Sequence, residues 1–220
     1  MFATPYSGNP TVLNDSGFFP VGVHVDARGN VYVANICSGS NNACSGAGDT
    51  IEFIAGSHTA TTLAGGPGRA YFVSTDARGN VWVDGQTSSS DPSAEIGYFS
   101  AASGSFVPVG IRLVFPGGLT FDRSGNLLLD DQAGAANGGS ILNIYKPGAT
   151  KPSASIALQS EGDDVIDIAL GTAQARIFAP DYFTNTAAVI TYPAGLDVNS
   201  LSPLTSGAPA AVAVTPATVP

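Results

Sequence analysis

The sequence predicts an all-β fold built from repeated four-stranded antiparallel units, and three observations carry that expectation. The segment VDARGNVYVAN at 25–35 returns almost unchanged as TDARGNVWVDG at 75–85. Gly (27) and Pro (15) supply 42 of the 220 residues, about 19%, against about 12% in average usage. Short apolar runs alternate with turn residues, and none keeps the 3.6-residue spacing of an amphipathic helix. A chain of this length buries roughly 70% of the surface its unfolded form exposes, enough for one core.

The doubled segment is a hairpin. Asp26-Ala27-Arg28-Gly29-Asn30 and Asp76-Ala77-Arg78-Gly79-Asn80 each stand between β-branched or aromatic residues, and Asp122-Arg123-Ser124-Gly125-Asn126 is a third copy. In D-x-x-G-N the aspartate accepts from its own backbone and the glycine takes the positive φ of a tight turn. A degraded fourth copy, IALGTAQARIFAPD, puts Gln174-Ala175-Arg176 at the turn. Third strands follow at Thr50–Ala55, Ala94–Phe99, Ser140–Tyr145 and Ala187–Tyr192, each ending in a short turn (AGSHT, SAASG, KPGAT, PAGLD). A weaker fourth strand closes each unit, as at Ser153–Leu158.

Four strands per unit of 45–50 residues mark a β-propeller blade. Blades are expected at 17–64, 69–113, 114–160 and 163–206, in one domain spanning 1–220. The two ends supply a fifth, composite blade, 207–220 plus 1–16. Its first strand is Ala210–Val214 and its fourth is Thr11–Leu13, so the ring has five blades and hides its edges. The alternative is a fragment of a larger ring that self-associates through open edges.

Gly22, Val25, Asp26, Gly29, Asn30, Tyr32 and Asn35 carry a further pattern in the first unit. Asp76, Gly79, Asn80 and Trp82 carry it in the second, and Gly118, Asp122, Gly125, Asn126 and Asp131 in the third. On these residues the chain resembles the NHL-repeat propellers, bacterial proteins that are commonly secreted or part of the cell envelope. Related propellers include lactonases, amidating lyases, streptogramin lyases and pure protein-binding modules. The resemblance therefore implies architecture and leaves the activity open.

Aligned first strands put His24, Ser74, Thr120, Asp167 and Ala213 at one register. The apolar neighbours Val23, Val73, Leu119, Ile166, Ile168 and Val212 are expected to pack between blades. If the polar set lines a central channel, His24 and Asp167 form a catalytic acid/base pair oriented by the hydroxyls of Ser74 and Thr120. The same oxygens could instead ligate a cation, calcium being the one they suit. Polar residues in a solvated channel equally need no function, and His24, between two valines, also fits a satisfied packing histidine. Lactonases of the regucalcin type hold calcium with Glu, Asn and Asp; here the glutamates are Glu52, Glu95 and Glu161, and Glu161, Asp163 and Asp164 form the one acidic cluster, which also fits a solvated turn. The lyases need several channel histidines, and only His24 is placed to serve, since His58 follows a third strand. Asn35, Asp131 and Asp181 end second strands at one register, with Gly85 in the same place, and are expected to cap backbone N–H groups.

Eight Lys and Arg against 17 Asp and Glu give a net charge of −9, with no cluster of cations. Nucleic acid and anionic membrane surfaces are excluded as partners on that basis. No apolar run reaches the roughly 18 residues of a membrane span. MFATPYSGNP has neither the charged nor the apolar region of a secretory leader, which does not by itself assign a compartment. Cys37 and Cys44 have six residues between them in a Gly/Ser/Asn loop without metal-ligand spacing. A local disulfide is expected, and with it an oxidising, periplasmic or extracellular, location; two free thiols are the alternative.

The polar loops SGSNNACSGAG, QTSSSDPSA and QAGAANGG all join second to third strands and so share one face of the disc. The reading favoured by the sequence is a binding or scaffold module that takes a protein or small-molecule ligand on that face and requires no cofactor. A metal-assisted lactonase or lyase at the channel mouth is the alternative.

Overall fold

The computed structural model describes residues 12–15, 18–38, 44, 46–91, 93–158, 165–182, 184–201 and 210–212. These form four antiparallel sheets of four strands, each in simple sequential order. Blade 1 contains β1 (Phe18–Val25), β2 (Val31–Cys37), β3 (Asp49–Phe53) and β4 (Ala60–Leu63). Blade 2 contains β5 (Arg69–Thr75), β6 (Val81–Gln86), β7 (Ala94–Phe99) and β8 (Phe106–Pro108). Blade 3 contains β9 (Pro116–Phe121), β10 (Leu127–Asp131), β11 (Ile141–Tyr145) and β12 (Ala154–Ala157). Blade 4 contains β13 (Ala169–Leu170), β14 (Arg176–Asp181), β15 (Thr186–Thr191) and β16 (Leu196–Leu201).

The hairpins form for the reason the repeat suggests. Asp26 Oδ1 accepts the N–H of Arg28 and of Asn30, both at 2.9 Å, and Gly29 sits at φ +86°. Asp76 with Gly79 and Asp122 with Gly125 repeat the arrangement. The asparagine does more than fill the turn. Its Nδ2 donates back to the aspartate, and its Oδ1 accepts the N–H of Ala55 in blade 1 or of Ala101 in blade 2, each at 3.0 Å. The hairpin is thereby stitched to the turn that joins the third and fourth strands. These clamps hold Asp26, Asp76 and Asp122 below the usual carboxylate range, the N–H donors outweighing an opposing burial effect.

First strands of successive blades are neighbours: β1 lies beside β5, β5 beside β9, and β9 beside β13. The core is divided among the seams between blades. Tyr32, Val73, Val83 and Phe99 pack where blades 1 and 2 meet. Tyr71, Phe72, Leu119 and Leu129 fill the next seam, and Leu128, Leu142, Ile168 and Ile177 the one after. Where both faces of a blade are covered, burial does not alternate along the inner strands. All five residues of β10, LLLDD, are buried, a pattern proper to sheets packed on both sides.

Most of the segments expected to form a fifth, composite blade lie outside the described residues, including Ala213. Of 207–220 and 1–16 only 12–15 and 210–212 are described, and none of these is in a strand. They do touch the blades on either side. Leu13 packs on the Val33, Ile51 and Phe53 cluster, and the Val212 N–H reaches Asp167. Val23, expected between blades, is 63% exposed, whereas Val73 and Leu119 are buried. Its side of β1 faces the unit that would precede blade 1.

Cys37 and Cys44 are joined in a disulfide with their Cα atoms 5.4 Å apart. Among the described residues no helix is long and apolar enough to cross a membrane. Two outcomes follow from the turns and the bridge. Gly29→Ala and Gly79→Ala each destabilise by about 1–2 kcal/mol, since a Cβ is strained at positive φ; chemical denaturation of the two variants checks this. Reduction of the disulfide removes roughly 2–3 kcal/mol of loop-closure stabilisation, visible as a lower melting temperature in reductant and absent in a Cys37→Ser/Cys44→Ser variant.

Candidate functional site

Three of the four polar residues expected at one register share it. His24 lies opposite Tyr32, Ser74 opposite Trp82 and Thr120 opposite Leu128. In blade 4 that place, opposite Phe178, belongs to Ala169. Asp167 sits two residues earlier, level with Gly22, Phe72 and Gly118. The reason is local: the fourth turn is closed by the Gly171 N–H on the Arg176 carbonyl, one residue longer than the Asp26–Asn30 pairing, and lacks the Asp, Gly and Asn that anchor the other three.

The register also points elsewhere than into an open channel. Side chains of a strand alternate between the two faces of its sheet, and here each face meets a neighbouring blade. His24 reaches the next blade, its Nε2 2.9 Å from Thr75 Oγ1. Burial lowers its pKa despite the nearby charge of Asp26. Ser74 is buried and Thr120 half-buried. Asp167 Oδ1 accepts the N–H of Ile168 at 2.8 Å, and Oδ2 that of Val212 at 3.3 Å. Burial pushes its carboxyl up to about 6 against these donors. Its Oδ1 would lie 2.6 Å from a Cβ placed on Gly118, so the glycine is what lets the two first strands approach there. No contact joins His24 to Asp167 among the described residues.

Asp131 and Asp181 cap backbone. Asp131 accepts the N–H of Val114 and Phe115, and Asp181 that of Thr184. Asn35 instead donates to Asp15 and Asp49. Glu52 accepts the hydroxyl of Tyr32 at 2.9 Å, while Glu161, Asp163 and Asp164 lie outside the described residues. Among the described residues no three His, Cys, Asp or Glu side chains converge in a way that could hold a metal ion.

Sequence reasoning passed over Asp84. It is fully buried, and its carboxyl accepts the N–H of Phe72 at 2.9 Å in its own blade and of Gly117 at 3.1 Å in the next. Burial drives it well above the usual range, with the charge of Asp167 adding to the effect. Asp84 therefore fastens blade 2 to blade 3. The signal available was an acid interrupting an apolar strand, VWVDG, with LLLDD repeating it in the next blade.

The same seam opens outward into a cleft of about 620 Å³ on the side of the hairpin turns. Trp82 and Tyr98 of blade 2 and Phe121 and Tyr145 of blade 3 line it, with Arg78 and Lys146 at its rim. The Trp82 ring centroid stands 5.0 Å from that of Tyr98 and 5.3 Å from that of Phe121, and its Nε1 donates to Asp76 at 3.0 Å. The seam between blades 3 and 4 is tied across at the corresponding place. There Arg123 bonds Gln174 and Thr172, and the Tyr192 hydroxyl bonds Asp122 at 2.7 Å. The cleft lies on the face opposite the long loops between second and third strands.

No protein-family model matches the chain, and no curated protein matches it. Solved structures do. A catalytically inactive virginiamycin B lyase from Staphylococcus aureus, with quinupristin, is 16% identical at a TM-score of 0.57, over 90% of this chain and 59% of that one. A gluconolactonase from Xanthomonas campestris is 12% identical at a TM-score of 0.65, over 87% and 64%. A chain of the mitotic checkpoint complex is 13% identical at 0.62, over 93% and 56%. The fold is a β-propeller. At these identities the likeness extends to the fold alone, and the chain spans between 56% and 64% of the length of these three.

Asp167 generates a pH prediction. Its folded pKa of about 6 lies above the unfolded value, so its protonated form is favoured by folding. The Asp167 contribution to stability is thus undiminished below about pH 4, falls as the unfolded state ionises, and is reduced by of order 2–3 kcal/mol above pH 6. Asp167→Asn removes that burden, and melting curves from pH 4 to 7.5 should show a flatter dependence than the parent's.

Proposed function

We propose that this propeller is a binding module for a small-molecule or protein ligand, working in the bacterial periplasm or outside the cell. One observation carries the reading. The polar side chains that a channel-mouth enzyme would use are engaged, His24 across a seam with Thr75 and Asp167 with the N–H groups of Ile168 and Val212, while an aromatic-lined cleft stays open between blades 2 and 3. Clefts of roughly 300–1,000 Å³ lined by apolar and aromatic groups with a few polar ones are the usual form of small-molecule sites. The disulfide fits an oxidising compartment, and the NHL-like pattern of Asp26, Gly29 and Asn30 fits a cell-envelope protein.

The lyase and the gluconolactonase among the structural neighbours do not favour a hydrolytic or lyase reading, because a shared propeller hosts many activities. A thermal-shift survey of metabolites decides the matter, with product analysis of every compound that stabilises. A ligand at about 100 times its Kd adds roughly 2.7 kcal/mol, which is about 5–10 °C for a chain of this size. The expected outcome is stabilisation without turnover, equal in the His24→Ala variant. Turnover of a lactone or ester that the His24→Ala variant loses would reverse the reading in favour of catalysis.

A further inference from the structure

The cleft between blades 2 and 3 has a chemistry of its own. Its walls are the rings of Trp82, Tyr98, Phe121 and Tyr145, contributed by two blades. Arg78, in the second hairpin turn, and Lys146, in the turn after β11, stand exposed at its rim. Among the described residues the only acid that lines it is Asp76, and that carboxylate is already used. It accepts the N–H groups of Arg78 and Asn80, the Asn80 amide and the Trp82 indole. Two cations and one saturated carboxylate leave a local positive excess in a chain whose net charge is −9.

That combination discriminates among ligands. A neutral sugar would stack on the same rings but would seek free carboxylate and amide acceptors, and Asp76 has no such capacity left. A cation would be repelled by Arg78 and Lys146. A flat apolar body satisfies the aromatic walls, and one negative charge at its end satisfies the rim, where a guanidinium or ammonium pairs with a carboxylate. We propose that the cleft is a binding site for small organic anions, an aromatic ring bearing a single carboxylate, held by stacking between the two blades and by Arg78 and Lys146. This deepens the binding-module reading and rests on it.

Trp82 is the only tryptophan in the chain, so its emission reports occupancy of this cleft and no other. The experiment titrates the disulfide-intact protein with 3-phenylpropanoate, its methyl ester and 3-phenylpropylamine, excited where none of the three absorbs. The expected result is a saturable emission change with the anion, binding at least tenfold weaker with the ester, and none with the amine. Arg78→Gln and Lys146→Gln each weaken the anion by about threefold to fivefold, the range of an exposed ion pair. Both positions are exposed, so unchanged melting temperatures confirm that the variants fold. An ester that binds as tightly as the anion, or variants that bind like the parent, would overturn the anion assignment while leaving the binding-module reading intact. No saturable change with any of the three probes would overturn the cleft as a site; the metabolite survey then tests the binding-module reading by itself.

Discussion

The carboxylate of each hairpin aspartate accepts backbone N–H groups two and four residues downstream, together with the amide of the asparagine that closes the turn. This clamp sets the phase of the first two strands, and the rest of the blade is built on that phase. A one-residue slip would turn every inward side chain outward. Val33, Val83 and Leu129 would then leave the seams that they fill. Blade 4 shows what happens without the clamp. Its turn is a residue longer, its first strand shrinks to Ala169–Leu170, and Gln174 takes the positive φ that glycine takes elsewhere.

A propeller of this kind spends its polar residues on joining blades. Asp84 spans two first strands, the His24 imidazole crosses to Thr75, and Asp167 holds the described part of the last segment through Val212. Each is half-buried or buried and each has a partner, which is what an apolar seam demands of a polar group. Perturbed ionisation at such places reports the cost of burial, and the same numbers in a solvated pocket would have suggested acid–base chemistry. Chemistry and architecture look alike in a list of residues. Their hydrogen bonds separate them.

The fold was readable because its instructions are local. Asp, Gly and Asn at fixed spacing specify a turn, and repetition of that turn specifies a blade. The register of Asp167 was not readable, since Gly171 through Arg176 does not carry Asp, Gly and Asn at that spacing and the strand before it is only two residues long. The direction of His24 was not readable either. Alternation along β1 says which side chains share a face, but only the packing of blade 2 says that the face meets Thr75 and not water. The cleft depends on rings at positions 82, 98, 121 and 145, brought together by two blades, and the sequence shows them as four unrelated members of four strands. The middle strands hide their facing for a simpler reason: with both faces covered, LLLDD carries no period at all.

The bond from the turn asparagine to the next turn of its blade spans 25 residues in blade 1 and 21 in blade 2. Among the described residues the connections that shape a blade are therefore short along the chain, and the main strand contacts between blades join immediate neighbours. Chains wired in this way can gain shape piecemeal, each unit closing a small loop before the next is needed, which keeps the entropy cost of any one step low. Inheritance follows the same grain. A unit whose internal bonds do not reach beyond itself can be copied whole, and what must then be relearned is only the seam. The open cleft and the tied seam beside it show how differently two such seams can be finished.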